Sequence, residues 1–447
     1  MATVAIEVVD AGLVPVRDGV VAAPSPGVAL LDAAGLVVGE EAAAQLRLKP
    51  VQAFDRFWSG LGADPLPRPV PAARSRADLA HAHLARFWAN VAEGGDAALF
   101  VVPGTLRPAE LGLLAGIAGA AGIPVAGFVD LAVAACAPLE ARESVLHLDL
   151  HFHQAVLTEL GGSELLRRRR LEVAPRVGMR ALHAAWAQLV AEAMVRRTRF
   201  DPLHQAATEQ QLHDRLPGWL ATLGGSGTVD VEVDASAGTF GVALRRDQFE
   251  FAAEAYYTQL SELVQATRRA GEPVTLALSS RAAALPGFAA RCAAMPEVEV
   301  VVLAEGAAAS AALTRASEIG SPAAPELVTA LRRVTPLRQP AAAVAAQGPA
   351  PTHVVFGGKA FPVSGEPLRV GLAPQGPQVI TVAGPAAGIS REHCTIAMDG
   401  AAVRVRDHSR YGTWLNGARV SGEAALAAGD RLRLGTPGVV LELVAVG

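Results

Sequence analysis

Hydrophobic positions along this 447-residue chain follow two different patterns. Up to about residue 318, short apolar runs alternate with longer stretches in which apolar residues recur every three or four positions. The runs at 98–102, 125–128, 144–158, 228–233 and 274–279 predict strands, and the amphipathic stretches at 181–197 and 248–269 predict helices. Strands alternating with crossover-length helices imply α/β layers. From residue 353 the segments become short and alternating. Residues 394–398 and 401–406 flank the hairpin dipeptide Asp399-Gly400, and 431–434 and 439–446 follow a second one, Asn416-Gly417. This is the pattern of a small all-β sandwich. Between the two regimes, 305–318 is Ala-rich and helical. Residues 321–352 mix Pro, Ala and Gln around one amphipathic segment at 325–334, which predicts a linker. The domains expected are thus 1–320, a linker over 321–352, and 353–447.

Composition narrows the function classes. A formal net charge of −4, with no basic patch interleaved with aromatics, excludes nucleic acid as the expected partner. Cys136, Cys292 and Cys394 lie far apart in apolar surroundings and fit neither a disulfide framework nor a zinc spacing, which implies a reducing compartment, the cytoplasm. No signal peptide is expected. Residues 111–129 carry no charge and are long enough for a membrane helix, but Gly122-Ile-Pro124 interrupts them, and Glu110 and Asp130 bound them. They read as helix, turn and buried strand, with Pro108 at the first helical position, so no membrane span is expected. The basic run 167–170 reads as a solvated hairpin turn between Leu165 and Leu171. No nucleophile elbow, P-loop or zinc-protease helix is present, and no catalytic residue is assigned.

The chemistry-bearing residues concentrate near the end of the chain. Gly388-Ile-Ser390-Arg391-Glu-His393 is followed by Asp407-His-Ser409-Arg410-Tyr411-Gly412-Thr413-Trp-Leu-Asn416-Gly417. A phosphate offers about two negative charges and several acceptor oxygens, so its reader needs hydroxyls, guanidinium groups and N–H groups converging from turns. Ser390, Arg391, Ser409 and Arg410 are such groups. The paired segments resemble the forkhead-associated (FHA) domain over about 353–447. The resemblance implies a β-sandwich that reads phosphothreonine in a protein partner through Ser390, Arg391, Ser409, Arg410, Tyr411 and Asn416. It also implies structural roles for Gly371, His393, Gly412, Thr413 and Gly417, with His393 bracing its loop. Two departures stand out: Leu372 follows Gly371 where the family usually has Arg, and Tyr411 stands where it often has Asn. Arg369, three residues back and on the other strand face, is an imperfect substitute. The alternative is a phosphate-independent docking sandwich for an acidic partner.

The first 318 residues resemble, block by block, the nucleotide-binding region of the heat-shock chaperones and the actin superfamily. Pro24-Ser25-Pro-Gly, Val38-Gly39-Glu, Phe100-Val-Val-Pro103-Gly, the segment from Gly122 to Asp130, Leu244-Arg-Arg-Asp-Gln-Phe249 and Ala304-Glu-Gly306 carry the likeness, in order. It implies an actin-like, two-lobed α/β domain with ATP and Mg²⁺ between the lobes, Asp10 and Asp149 being placed to hold the ion. The cleft loops depart from that pattern. Phosphate-cradling turns need glycine, because only a residue without Cβ lets backbone N–H groups approach oxygen closely. Here the first turn reads Asp10-Ala-Gly12, the second Asp149-Leu-His151-Phe-His153, and the adenosine segment Ser279-Ser280-Arg281. The expected function is therefore a pseudo-ATPase scaffold with no firm cofactor, tethered to the recognition sandwich. The alternative is an ATP-dependent, chaperone-like switch. A further alternative is a metal site, since His147, Asp149, His151 and His153 alternate along one predicted strand and share its face.

Overall fold

The computed structural model describes the chain except residues 1, 33–34, 270–271, 320–325, 335–348, 383–387, 401, 410–411, 417, 421, 436–438 and 447. It divides into two compact units, Met1–Leu337 and Arg338–Gly447. The first unit is built on two large sheets with the same plan. In one, Val20–Val21, Gly12–Arg17 and Thr3–Val9 form an antiparallel meander, and Ala97–Val102, Val125–Asp130 and Leu327–Val328 continue from Thr3–Val9 in parallel. In the other, Leu165–Pro175, Gln154–Gly161 and Ser144–Leu150 form the meander, and Val274–Leu278 and Val298–Val302 continue in parallel.

The central strands are apolar on both faces, as parallel strands covered on both sides must be. Residues of Ala97–Val102 alternate between two cores: Ala98, Phe100 and Val102 face one, Leu99 and Val101 the other. That second core also receives Val145, Leu160 and Ala277 from the other sheet, and it is filled by the helices Leu131–Cys136 and Ala307–Thr314. Both helices are rich in Ala, which lets them pack closely between two sheets. Far from that shared interior, Trp186, Phe249, Tyr257 and Phe288 close the outer core of the second sheet.

Several expectations are corrected. The segment read as part of a linker supplies two strands of the first unit: Leu327–Val328 pairs with Val125–Asp130, and Ala330–Arg332 pairs with Leu165–Pro175. The first unit therefore runs past 320, because edge strands are recruited by distant partners and not by local pattern. The basic run 167–170 lies within the strand Leu165–Pro175 and is not a turn. Arg168 pairs with the buried Asp130, and Arg170 with Glu172 at 2.6 Å. The single strand predicted over 144–158 is a hairpin, and the helix predicted over 248–269 breaks at Ala253 into Arg246–Ala252 and Glu254–Thr267. Residues 111–129 form a helix, Pro108–Ala120, then a turn through Gly122 and the strand Val125–Asp130. Among the described residues no helix is long and apolar enough to cross a membrane.

The second unit is a sandwich. Lys359–Pro362, His353–Phe356, Val439–Val444, Arg431–Leu434, Thr413–Leu415 and Ala418–Arg419 form one sheet; Val379–Thr381, Leu368–Gly371, Cys394–Asp399, Ala402–Asp407 and Glu423–Leu426 form the other. Val354, Leu432 and Leu441 from the first meet Val370, Ile396 and Val405 from the second in one core.

A buried histidine ties the first unit together near its start. His83 accepts the Trp58 indole N–H at its Nδ1 (3.0 Å), so its Nε2 carries the proton and donates to Ser25 Oγ at 2.8 Å. Ser25 is thus a hydrogen-bond acceptor and gains no nucleophilic activation. Burial lowers the His83 pKa from 6.5 to about 4, and burial likewise lowers those of His147 and His183 to about 4. The folded state then binds fewer protons than the unfolded chain between these values, so stability is complete above pH 6.5 and falls as the pH drops toward 4. His83 alone accounts for up to about 3 kcal/mol of this loss. Thermal melts followed by circular dichroism should show the midpoint falling across that window, and His83→Gln should make the dependence shallower.

Candidate functional site

Two groups of residues carry chemistry, one in each unit. In the sandwich, Leu368–Gly371 pairs with Cys394–Asp399, and the segment 388–393 crosses over the end of the sheet. Leu372 N–H donates to the Ser390 carbonyl (3.1 Å) and Ala373 N–H to that of Arg391 (3.0 Å). A Cβ at Gly371 would lie 2.2 Å from the Arg391 carbonyl oxygen, so only glycine permits this approach. His393, fully buried, accepts the Ser390 N–H at Nδ1 (3.1 Å) and donates from Nε2 to the Gly412 carbonyl at 2.8 Å. Accepting a main-chain proton fixes the tautomer, and burial lowers the pKa, so the ring is the neutral pin between two loops.

The second loop is shaped from inside. Asp407 Oδ1 accepts from Ser409 N–H (3.0 Å) and from the Thr413 hydroxyl (2.9 Å), and Ser409 Oγ accepts from Gly412 N–H at 2.7 Å. Asn416 takes a φ of 50° and uses both ends of its amide within the sandwich. Its Oδ1 accepts from Arg431 N–H (2.8 Å), and its Nδ2 donates to Asp430 at 2.7 Å. Asn416 therefore holds its own hairpin. Ser390 is half-buried beside exposed Arg391, which makes no ion pair among the described residues. Arg369 lies 3.4 Å from Glu392. Arg410, Tyr411 and Gly417 lie outside the described residues. Sequence reasoning missed Asp407 and Asp430. Asp407 carried a readable signal, since an Asp two residues before a turn position is the pattern of an Asx turn.

In the first unit, the turn after Thr3–Val9 meets the turn after Ser144–Leu150. Asp10 accepts Phe152 N–H on Oδ1 (2.6 Å) and His153 N–H on Oδ2 (3.1 Å). Gly12, at φ 148°, begins the next strand where a Cβ would lie 2.2 Å from the Ser25 carbonyl oxygen. Asp149 is buried and accepts from the Nε and Nη2 edge of the Arg281 guanidinium, at 2.8 to 3.2 Å, with His151 Nε2 at 3.3 Å from its Oδ2. Arg281 holds the Asp149 carboxyl well below the usual range against the opposing cost of burial. Ser279 begins the short helix Ser280–Ala283, accepting Ala282 N–H at 3.2 Å, and so aims Arg281 back at Asp149. Nearby Glu7 accepts Ala309 N–H (3.1 Å), and burial raises its pKa.

These residues come together, but not as one strand face. The strand ends at Leu150, so His151 and His153 belong to the turn. His153 turns to Asp55, 3.2 Å from its Oδ1, and Asp55 also pairs with Arg180. His147 stays on the strand, with Nε2 buried and without a hydrogen-bond partner among the described residues. The four-residue metal reading is thus corrected: the turn splits the set, and Arg281 takes Asp149. Among the described residues, no group of three or more His, Cys, Asp or Glu is placed to hold a metal ion.

Residues 374–435 match the FHA domain family. No curated protein sequence matches the chain. Within the second unit, the sandwich is thus similar to an FHA domain over that stretch.

Removing one partner of a buried ion pair costs about 3–5 kcal/mol, because the other charge stays buried and unanswered. Arg281→Met should therefore destabilise the first unit by about that much. The double variant Arg281→Met, Asp149→Leu should recover most of the loss in a denaturation cycle. Additive losses would mean that the pair does not act as a unit.

Proposed function

We propose that this protein is a cytoplasmic interaction scaffold. Its sandwich binds a threonine-phosphorylated or acidic segment of a protein partner, and its first unit is an actin-like, chaperone-ATPase-like domain that no longer turns over nucleotide. The observation carrying the binding reading is the His393 pin. It ties the Ser390 amide to the Gly412 carbonyl, so an exposed guanidinium and a hydroxyl sit on a turn whose shape is set before a partner arrives. Preorganised donors lose little entropy on binding an anion. Arg391 makes no ion pair among the described residues, whereas Arg369 is already answered by Glu392.

Support for the second half comes from two features of the first unit. Its sheets repeat one strand plan, and their matching turns meet. At that meeting point, however, the polar groups are used by the protein itself. Asp10 caps the opposite turn, and Arg281 is tied to Asp149. A triphosphate would have to displace both and then lie against carboxylates, a poor exchange for an anion. The three described cysteines, all free and buried, accord with a reducing compartment.

Fluorescence anisotropy of the full chain with phosphothreonine peptides tests the binding half. Arg391→Ala and Ser390→Ala should each weaken binding by roughly tenfold to a hundredfold, and Arg369→Ala by much less. Equal affinity for peptides bearing Asp in place of phosphothreonine would assign the acidic reading. Unchanged binding by both variants would remove this loop from the interface.

Calorimetric titration of MgATP into the full chain tests the other half. The expected result is no binding heat at millimolar nucleotide and no shift of the melting midpoint. Micromolar affinity would replace the scaffold with an ATP-dependent switch.

A further inference from the structure

Phe251 is 83% exposed, the only aromatic among the large hydrophobic side chains left open to solvent in the described residues. It lies near the end of the helix Arg246–Ala252, which packs beside the long helix Met179–Thr198. The inner side of that packing is rigid: Trp186 Nε1–H donates to the Phe249 carbonyl at 2.9 Å, and the two rings are 6.4 Å apart. On the outer side, Ala185, Leu189 and Ala252 line a groove of about 820 Å³ beside Phe251. The outer residues follow helical spacing, 185, 188, 189, 192 and 196 on the long helix and 247, 248, 251 and 252 on the short one. A single exposed apolar residue is ordinary, but a protruding aromatic next to an apolar groove on two locked helices is a docking surface.

We propose that the occupant of this groove is a second copy of the chain, paired about a two-fold axis. Such an interface uses the same patch on both copies, so the patch has to carry both the protrusion and the socket. This one does: Phe251 is the protrusion, and the groove floored by small residues is the socket. The rim charges point the same way. Glu192 lies 3.7 Å from Arg196, and Asp247 lies 2.9 Å from Arg245, two acids and two bases on exposed side chains. A rim of one sign would select an oppositely charged partner, whereas a balanced rim accepts its own copy and can exchange ion pairs across the axis at little cost. The patch is the centre of an interface and not a whole one. Stable dimers bury about 1,600 Å² in total, so the association expected here is weak and dependent on concentration. Pairing would present two sandwiches at once and raise the avidity for a partner with two binding segments.

Sedimentation velocity of the full chain over the micromolar range tests this. The expected result is a monomer–dimer equilibrium. Phe251→Ser should weaken it at least roughly tenfold, with no change in melting midpoint because the side chain is exposed. Asp247→Arg, which unbalances the rim, should weaken it as well. A wild-type chain that stays monomeric throughout would overturn the proposal and leave the groove to a different protein. A dimer unaffected by Phe251→Ser would overturn it by placing the interface elsewhere.

Discussion

A carboxylate removed from water has to be answered, and the first unit depends on how Asp10 is answered. Its two oxygens take the Phe152 and His153 amides, which belong to the hairpin turn of the other large sheet. One short side chain thereby fixes two turns that are 142 residues apart in the chain. Charge-assisted bonds from backbone N–H groups are among the stronger hydrogen bonds, and in a buried setting water does not compete for them. Once that contact is made, Asp149 and His151 are placed beside it. Arg281, delivered by the Ser279 cap, then answers Asp149 together with His151 and keeps its carboxyl ionised. Glu7 also feels Arg281 and accepts the Ala309 amide, but burial outweighs both and shifts it toward its neutral form.

The same constraint has a different solution in the sandwich. There the buried polar group is an imidazole, which can remain neutral and still bond at both nitrogens. His393 satisfies one main-chain donor and one main-chain acceptor, so it joins two loops without placing a charge in the core. Asp407 and Asp430 perform comparable work nearer the surface, each collecting donors from its own turn. Arg391, exposed on its turn, is left outside this internal arrangement.

How much of this was legible follows from how local each signal is. Asp399-Gly400 predicts its hairpin because the turn chemistry lies in the two residues themselves, and the flanking strands fall within a residue of the expected bounds. Ser390, His393 and Asn416 were picked out by resemblance to the FHA motif; in the structure His393 bonds across two loops and Asn416 holds its own hairpin. The hairpin at His151-Phe-His153 was missed because it contains no Gly, Asn or Pro. Its turn is stabilised by Asp10, from the other end of the unit. The strands Leu327–Val328 and Ala330–Arg332 were taken for linker because their pattern is too short to read, and the partners that recruit them lie far back in the chain. Arg168 misled in the opposite direction. A run of arginines reads as solvated, yet this one answers the buried carboxylate of Asp130. Sequence patterns report local propensity, whereas buried charge is settled by partners that only the fold supplies.

That distinction also separates the two kinds of site. A polar cluster whose members already satisfy one another has little to offer a ligand, since each new bond must first break an existing one and expose a buried charge. Arg281, buried against Asp149, is in that position. A cluster whose frame is satisfied internally, while its cation faces solvent, is ready to bind at the cost of desolvating one side chain. Arg391, on a turn pinned by His393, is in that position. Both units contain the residue types that anion recognition needs; what differs is whether the cation's partner is already inside the protein.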